Sequence, residues 1–196
     1  MQTGCILLAA GAGARFGGNK LKAPVAGRPF AEYILSNLPA DRLDKCVIVA
    51  ADAELLHMAA EHGISGVIND QPEKGVSRSI RMGLQAIGPV DACMFCVCDQ
   101  PLLTRETICG MLETYVPGTI LALSCDGKRG NPVLFPSSLL SELNALGPDE
   151  SGKNVIHAHP GLLRLYEISD PAQLADIDTR EQLTEIEKII LKRRGL

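Results

Sequence analysis

The chain has 196 residues, 46% hydrophobic and 21% charged, with a formal net charge of −4. That length buries a full core within one domain, and the acidic balance argues against a nucleic-acid partner, which asks for a basic face. No apolar run approaches the roughly 20 residues needed to cross a bilayer, so no membrane partner is expected either.

The first segment, Gly4–Ala10, is a continuous apolar run ended by glycines, which predicts a strand buried on both faces. It lacks the basic leader of a signal peptide. The seven cysteines are odd in number and sit mostly in apolar segments, so they form no disulfide framework and the expected compartment is the cytoplasm. Pro29–Leu38 has helical spacing, with Pro29 suited to a first turn. Cys46–Ala51 reads as a strand, Ala53–His62 as a helix, and Gly66–Ile68 as a short strand.

Ser77–Ile87 is again helical, and Ala92–Cys98 is the central apolar strand, stopping at Asp99-Gln-Pro101. Thr104 is placed to cap a helix reaching Tyr115. Ile120–Ser124 and Pro132–Phe135 flank the polar turn Asp126–Gly130 and predict an antiparallel hairpin. The stretch from Asn144 to Pro160, rich in Gly, Pro, Asp and His, reads as a mobile loop. Leu162–Glu167 is a late strand, and Thr179-Arg-Glu-Gln182 has the form of a capping box opening the last helix. Strand–helix alternation predicts an α/β fold, a Rossmann-like three-layer sandwich with a mostly parallel sheet and one antiparallel strand, over residues 1–196 as a single domain.

In open α/β sheets ligands bind beyond the carboxyl ends of strands, which draws attention to Leu8–Lys20. Gly11, Gly13, Gly17 and Gly18 let backbone N–H groups approach an anion, and Arg15 and Lys20 add fixed positive charge. Two common glycine motifs fail here. The dinucleotide fingerprint is broken by Phe16 at its third glycine. The P-loop is broken by Asn19 before Lys20 and by Leu21 in place of the metal-binding hydroxyl. Asp99, at the end of the central strand, sits where one carboxylate would hold Mg²⁺ against phosphates.

Taken together, Leu8-Ala-Ala-Gly-x-Gly-x-Arg-Phe-Gly-Gly-x-Lys20-Leu with Pro24 resembles the signature of the molybdenum cofactor cytidylyltransferase family. The resemblance continues through Gly75–Leu84, Cys98–Leu102, Gly130–Phe135 and Asp176–Leu183, in the family's order and over nearly the whole chain. It implies a nucleotidyltransferase fold and transfer of CMP from CTP to the phosphate of molybdopterin or molybdenum cofactor, releasing pyrophosphate. A molybdenum hydroxylase would be the eventual acceptor of the product. Arg15, Lys20 and Asp99 are then catalytic. Leu8, Ala9, Ala10, Gly11, Gly13, Asn69, Gly75, Ser77 and Ser79 bind the nucleotide. Gly130, Asn131 and Asp149 face the pterin substrate, and Asp99 and Asp178 hold the metal.

Ala10 and the five-residue step from Arg15 to Lys20 resemble the cytidylyl rather than the guanylyl branch. The alternatives are a guanylyl or sugar- or alcohol-phosphate nucleotidyltransferase of the same superfamily, and a non-catalytic accessory protein that binds the cofactor. A nicotinamide oxidoreductase is disfavoured by Phe16. The Cys93, Cys96, Cys98 run lies in the central strand with Cys93 and Cys96 on opposite faces, so these are structural thiols. His157 and His159 read as loop histidines.

Overall fold

The computed structural model describes residues 1–11, 16 and 19–195. Strand β1 (Thr3–Ala9) pairs in parallel with β4 (Lys45–Ala50) on one side and β6 (Ala92–Val97) on the other. The full order is β5-β4-β1-β6-β8-β7-β9, with β5 Ser65–Ile68, β7 Ile120–Cys125, β8 Lys128–Pro136 and β9 Leu163–Glu167. Only β8 runs against its neighbours, pairing antiparallel with both β6 and β7. The mostly parallel sheet with one reversed strand is therefore observed.

The β7–β8 turn is tighter than the polar run implied. Asp126 and Gly127 both take positive φ, 50° and 72°, the geometry that suits a two-residue hairpin between twisted strands. A second hairpin, β2 (Pro24–Val25) with β3 (Arg28–Pro29), was not expected. Pro29 consequently ends a strand and flanks α1 (Phe30–Asn37) instead of opening it.

Seven α-helices lie among the described residues and cover the sheet. Apolar residues of α1, α2 (Ala53–Glu61), α4 (Arg105–Thr114) and α7 (Arg180–Arg193) share one core with Cys5, Leu7, Ile48 and Cys96. Those of α3 (Val76–Ile87), α5 (Ser137–Asn144) and α6 (Gly152–Ala158) share the other with Ile6, Val47, Cys93 and Phe135. The expected separation of Cys93 from Cys96 thus holds. All seven cysteines are free thiols, and burial pushes Cys46 up to about 12, which leaves it inert as a nucleophile. Gly83 in α3 permits a close helix–sheet approach, since a Cβ there would lie 2.5 Å from the Ile6 side chain.

The caps expected at both ends of the chain's second half are present. Thr104 accepts from the Thr107 backbone N–H, and Thr179 and Gln182 form the reciprocal box that starts α7. The 144–160 stretch departs from expectation. It holds α6, whose start is fixed by Asn154 accepting from the Ser151 N–H at 3.0 Å. His157 lies in that helix and His159 pairs with Glu142 at 2.9 Å, so the two imidazoles form no joint ligand pair. No helix among the described residues is long and apolar enough to cross a membrane.

Candidate active site

On one side of β1 lie β4 and then β5, and on the other β6, β8, β7 and β9, reached after β5 by a crossing back over β1. The carboxyl ends of β1 and β6 therefore flank the point where the winding reverses, and crevices of open α/β sheets form there. A cavity of about 380 Å³ opens at this place. Leu8, Ala9, Ala10, Gly11, Gly75 and Ser79 line it, and Lys20, Asp99 and Asp178 complete its charged side. Gly13 and Arg15 lie outside the described residues.

The direction of Lys20 is set locally. Asn19 caps the single 3-10 turn Lys20–Lys22, its Oδ1 accepting from the Leu21 N–H at 3.1 Å, while its Nδ2 donates to Asp52. Phe16 is buried under the Arg180 guanidinium, 5.5 Å from its ring centroid. Phe16 and Asn19, two of the three residues that break the common glycine motifs, thus anchor the later part of this loop.

The Lys20 ammonium donates to Asp99 Oδ2 at 3.0 Å, Asp178 Oδ1 at 3.2 Å and the Ile177 carbonyl at 2.7 Å. The Ile177 N–H in turn donates to the Asp99 carbonyl, which docks the late Asp176–Asp178 segment onto the end of β6. One cation thus already sits between two carboxylates that are 79 residues apart in sequence. Asp99 Oδ1 is buried and accepts no hydrogen bond. Two carboxylates converging on one point, one with a spare buried oxygen, fit the all-oxygen coordination of Mg²⁺ or Mn²⁺.

Asn69 and Ser77 do not reach the cavity wall. Asn69 is fully buried behind Ser79, donating to its Oγ at 3.0 Å, and its own Oδ1 accepts from the Gln71 N–H and Arg78 Nε. Its link to the cavity among the described residues runs through Ser79. The Ser77 hydroxyl is buried without a hydrogen-bond partner.

A second cavity, of about 570 Å³, adjoins the first across Leu8, Val76 and Val97, which line both. Gly130 and Asn131 line it. Its apolar walls include Phe95 and Phe135, packed edge to face with centroids 5.8 Å apart. Lys128, Arg129 and Lys153 stand around it, concentrating positive charge in an acidic protein. Asp149 lines neither cavity. Its turn, 147–150, packs on Gly75 instead, whose φ of 87° and 2.5 Å Cβ-to-Pro148 carbonyl spacing admit no side chain.

Two residues of the second cavity escaped sequence reasoning, Gln100 and Asp176. Asp176 Oδ1 accepts from Gln100 Nε2 at 3.0 Å. Partial burial, then the like charge of Asp99, holds the Asp176 carboxyl above the ordinary carboxylate value. The usable signal was the i, i+2 pair Asp176 and Asp178 beside the Asp99-Gln100 dipeptide.

Residues 5–162 match the model of the MobA-like NTP transferase domain. The chain belongs to that family. Among curated relatives of this MobA-like chain, nicotine blue oxidoreductase of Paenarthrobacter nicotinovorans is 28% identical, over 91% of this chain and 93% of its own. Purine catabolism protein PucB of Bacillus subtilis (strain 168) is 26% identical, over 90% and 92%. A nucleotidyl transferase from Methanothermobacter thermautotroptrophicus superposes with a TM-score of 0.85 at 22% identity, over 98% and 99%. Rv0371C of Mycobacterium tuberculosis H37Rv, solved as a complex with manganese, superposes with 0.77 at 20% identity, over 96% and 99%. Such likenesses establish the nucleotidyltransferase fold of this MobA-like domain.

Proposed function

We propose that the protein transfers CMP from CTP to the phosphate of molybdopterin or molybdenum cofactor, releasing pyrophosphate. The observation that carries the reading is the Lys20 ammonium held between Asp99 and Asp178 at the switch-point cavity. Binding alone does not require carboxylates converging on a cation there, which speaks against a purely accessory role.

In this reaction an oxygen of the acceptor phosphate attacks the α-phosphorus of CTP. A new P–O–P bond forms, the α–β bond breaks, and the electron pair leaves on pyrophosphate. Protein groups contribute position and charge rather than covalent chemistry. Gly11 and the β1 carboxyl end cradle the triphosphate, Ser79 and Gly75 bound the nucleoside side, and Lys20 with Arg15 offsets negative charge on the phosphates. Asp99 and Asp178 would hold Mg²⁺, which when bound supplies Lewis-acid polarisation of the phosphates. The apolar second cavity, with Gly130 and Asn131 on its wall, receives the acceptor.

The cytidine preference rests on the resemblance at Ala10. Melting curves with Mg²⁺ and CTP, GTP, ATP or NADH test the reading, because a ligand of the native state raises the melting temperature. CTP is expected to give the largest rise. A GTP preference would move the protein to the guanylyl branch, and a response to NADH alone would favour the chemistry named in its Paenarthrobacter relative. Pyrophosphate release from CTP in the presence of molybdopterin then tests turnover.

A further inference from the structure

The second cavity has mostly hydrocarbon and aromatic walls, so the few polar groups on it decide what it accepts. Gln100 is one of them, 2% exposed. Its Nε2 donates to Asp176 Oδ1 at 3.0 Å and lies 3.5 Å from the Leu174 carbonyl, both residues also on the cavity wall. These contacts fix which way the amide faces, because exchanging oxygen and nitrogen would set Oε1 against two acceptors. Oε1 is left buried and without a hydrogen-bond partner.

Buried polar atoms are nearly always satisfied, and an orphan in a cavity wall calls for a reason. This oxygen is closed off from the cavity in this structure, so a ligand's donor meets it only once the amide turns. The terminal torsion of glutamine is soft enough to bring Oε1 toward it.

Resting on the transferase reading above, we propose that Gln100 is the specificity-determining residue for the acceptor, its Oε1 accepting a hydrogen bond from an N–H or O–H on the acceptor's flat, apolar body. Asp176 is the positioning residue that holds the amide. A site built around such an acceptor atom rejects analogues lacking the donor far more strongly than a hydrocarbon wall rejects a change of shape. Phe95, Phe135, Val97 and Val133 suit a planar heterocycle, and Lys128, Arg129 and Lys153 suit an anionic substituent on it.

The probes are lumazine, a fluorescent planar heterocycle bearing ring N–H groups, and 1,3-dimethyllumazine, in which those hydrogens are methyls. Fluorescence titration of the wild-type protein is expected to show at least about tenfold tighter binding of lumazine. Gln100→Met, similar in volume, should bring the two affinities to within about twofold. Asp176→Ala, which frees the amide without removing it, should narrow the preference by a smaller factor, and it carries the test if Gln100→Met fails to fold. The CTP-induced melting shift is recorded on each protein. If it is missing while the lumazine preference stands, the nucleotide reading fails and the Gln100 assignment survives. Equal affinities in the wild type, no lumazine binding at millimolar concentration, or a preference that survives Gln100→Met would each overturn the assignment.

Discussion

Asn69 sets the orientation of Ser79: a fully buried amide donates at 3.0 Å to a hydroxyl on the wall of the switch-point cavity. The same amide oxygen ties Gln71 and Arg78 into the loop before α3. Asn69→Ala is therefore expected to act as a positioning defect. The KM for CTP should rise by about tenfold, the equivalent of one charge-free hydrogen bond, with kcat much less affected. A fall in kcat with unchanged KM, in steady-state pyrophosphate release, would contradict this.

Lys20 occupies the position between the two carboxylates proposed to hold a divalent ion. Lys20→Ala should therefore bind Mn²⁺ more tightly than the wild type in the absence of nucleotide, while losing pyrophosphate release by at least about a hundredfold, as expected when a group neutralising transition-state charge is removed. Asp99→Asn should weaken Mn²⁺ binding. Electron paramagnetic resonance of free Mn²⁺ measures both, and chelation by EDTA should reversibly abolish turnover of the wild type.

Asp52 joins the glycine-rich loop to α2. It caps the helix by accepting from the Glu54 N–H at 2.9 Å, pairs with Lys22 at 2.7 Å and accepts from Asn19 at 3.1 Å. The Lys22 contact, then the Glu54 N–H, holds its carboxyl below the ordinary value. A depressed native pKa contributes stability above the unfolded value of 3.8 that is lost as pH falls through the native one. Asp52→Ala should cost about 1 kcal/mol at pH 7, the usual value of a helix N-cap, and the gap to wild type should narrow below about pH 4. Urea titrations at several pH values measure it.

Gly75 combines a φ of 87° and ψ of 172° with the Pro148 carbonyl lying where a Cβ would be. Only glycine adopts that backbone region readily. Gly75→Ala should destabilise the fold by about 1–3 kcal/mol and displace the 147–150 turn that packs on it. Gly127→Ala, whose φ is 72° but whose Cβ would meet nothing within 4 Å, is the control and should cost less.

The strands of the large sheet and helices α1 to α4 and α7 were legible because each buried strand is a short apolar run and each of those helices keeps its spacing, whereas α5 and the β2–β3 hairpin were not. The switch-point cavity followed from the glycines after β1 and the carboxylate after β6. What escaped reading depends on contacts distant in sequence. Asn69 was named as a nucleotide contact, yet its burial behind Ser79 is set by how α3 packs on the sheet. Helix α6 was read as loop because Gly152 and His157 are weak helix signals, and its start is fixed by Asn154 rather than by the usual acidic or glutamine residue. Gln100 gave no signal of its own, since its unfilled oxygen exists only after Asp176 arrives from 76 residues away.

The partition formed by Leu8, Val76 and Val97 has a kinetic meaning. All three are aliphatic, so none of them can carry a nucleotidyl group from one chamber to the other. For the reaction proposed, direct transfer with both substrates aboard together is the expected route. Initial-rate plots should intersect as in a ternary-complex mechanism, and no nucleotidylated form of the protein should accumulate when CTP is supplied alone.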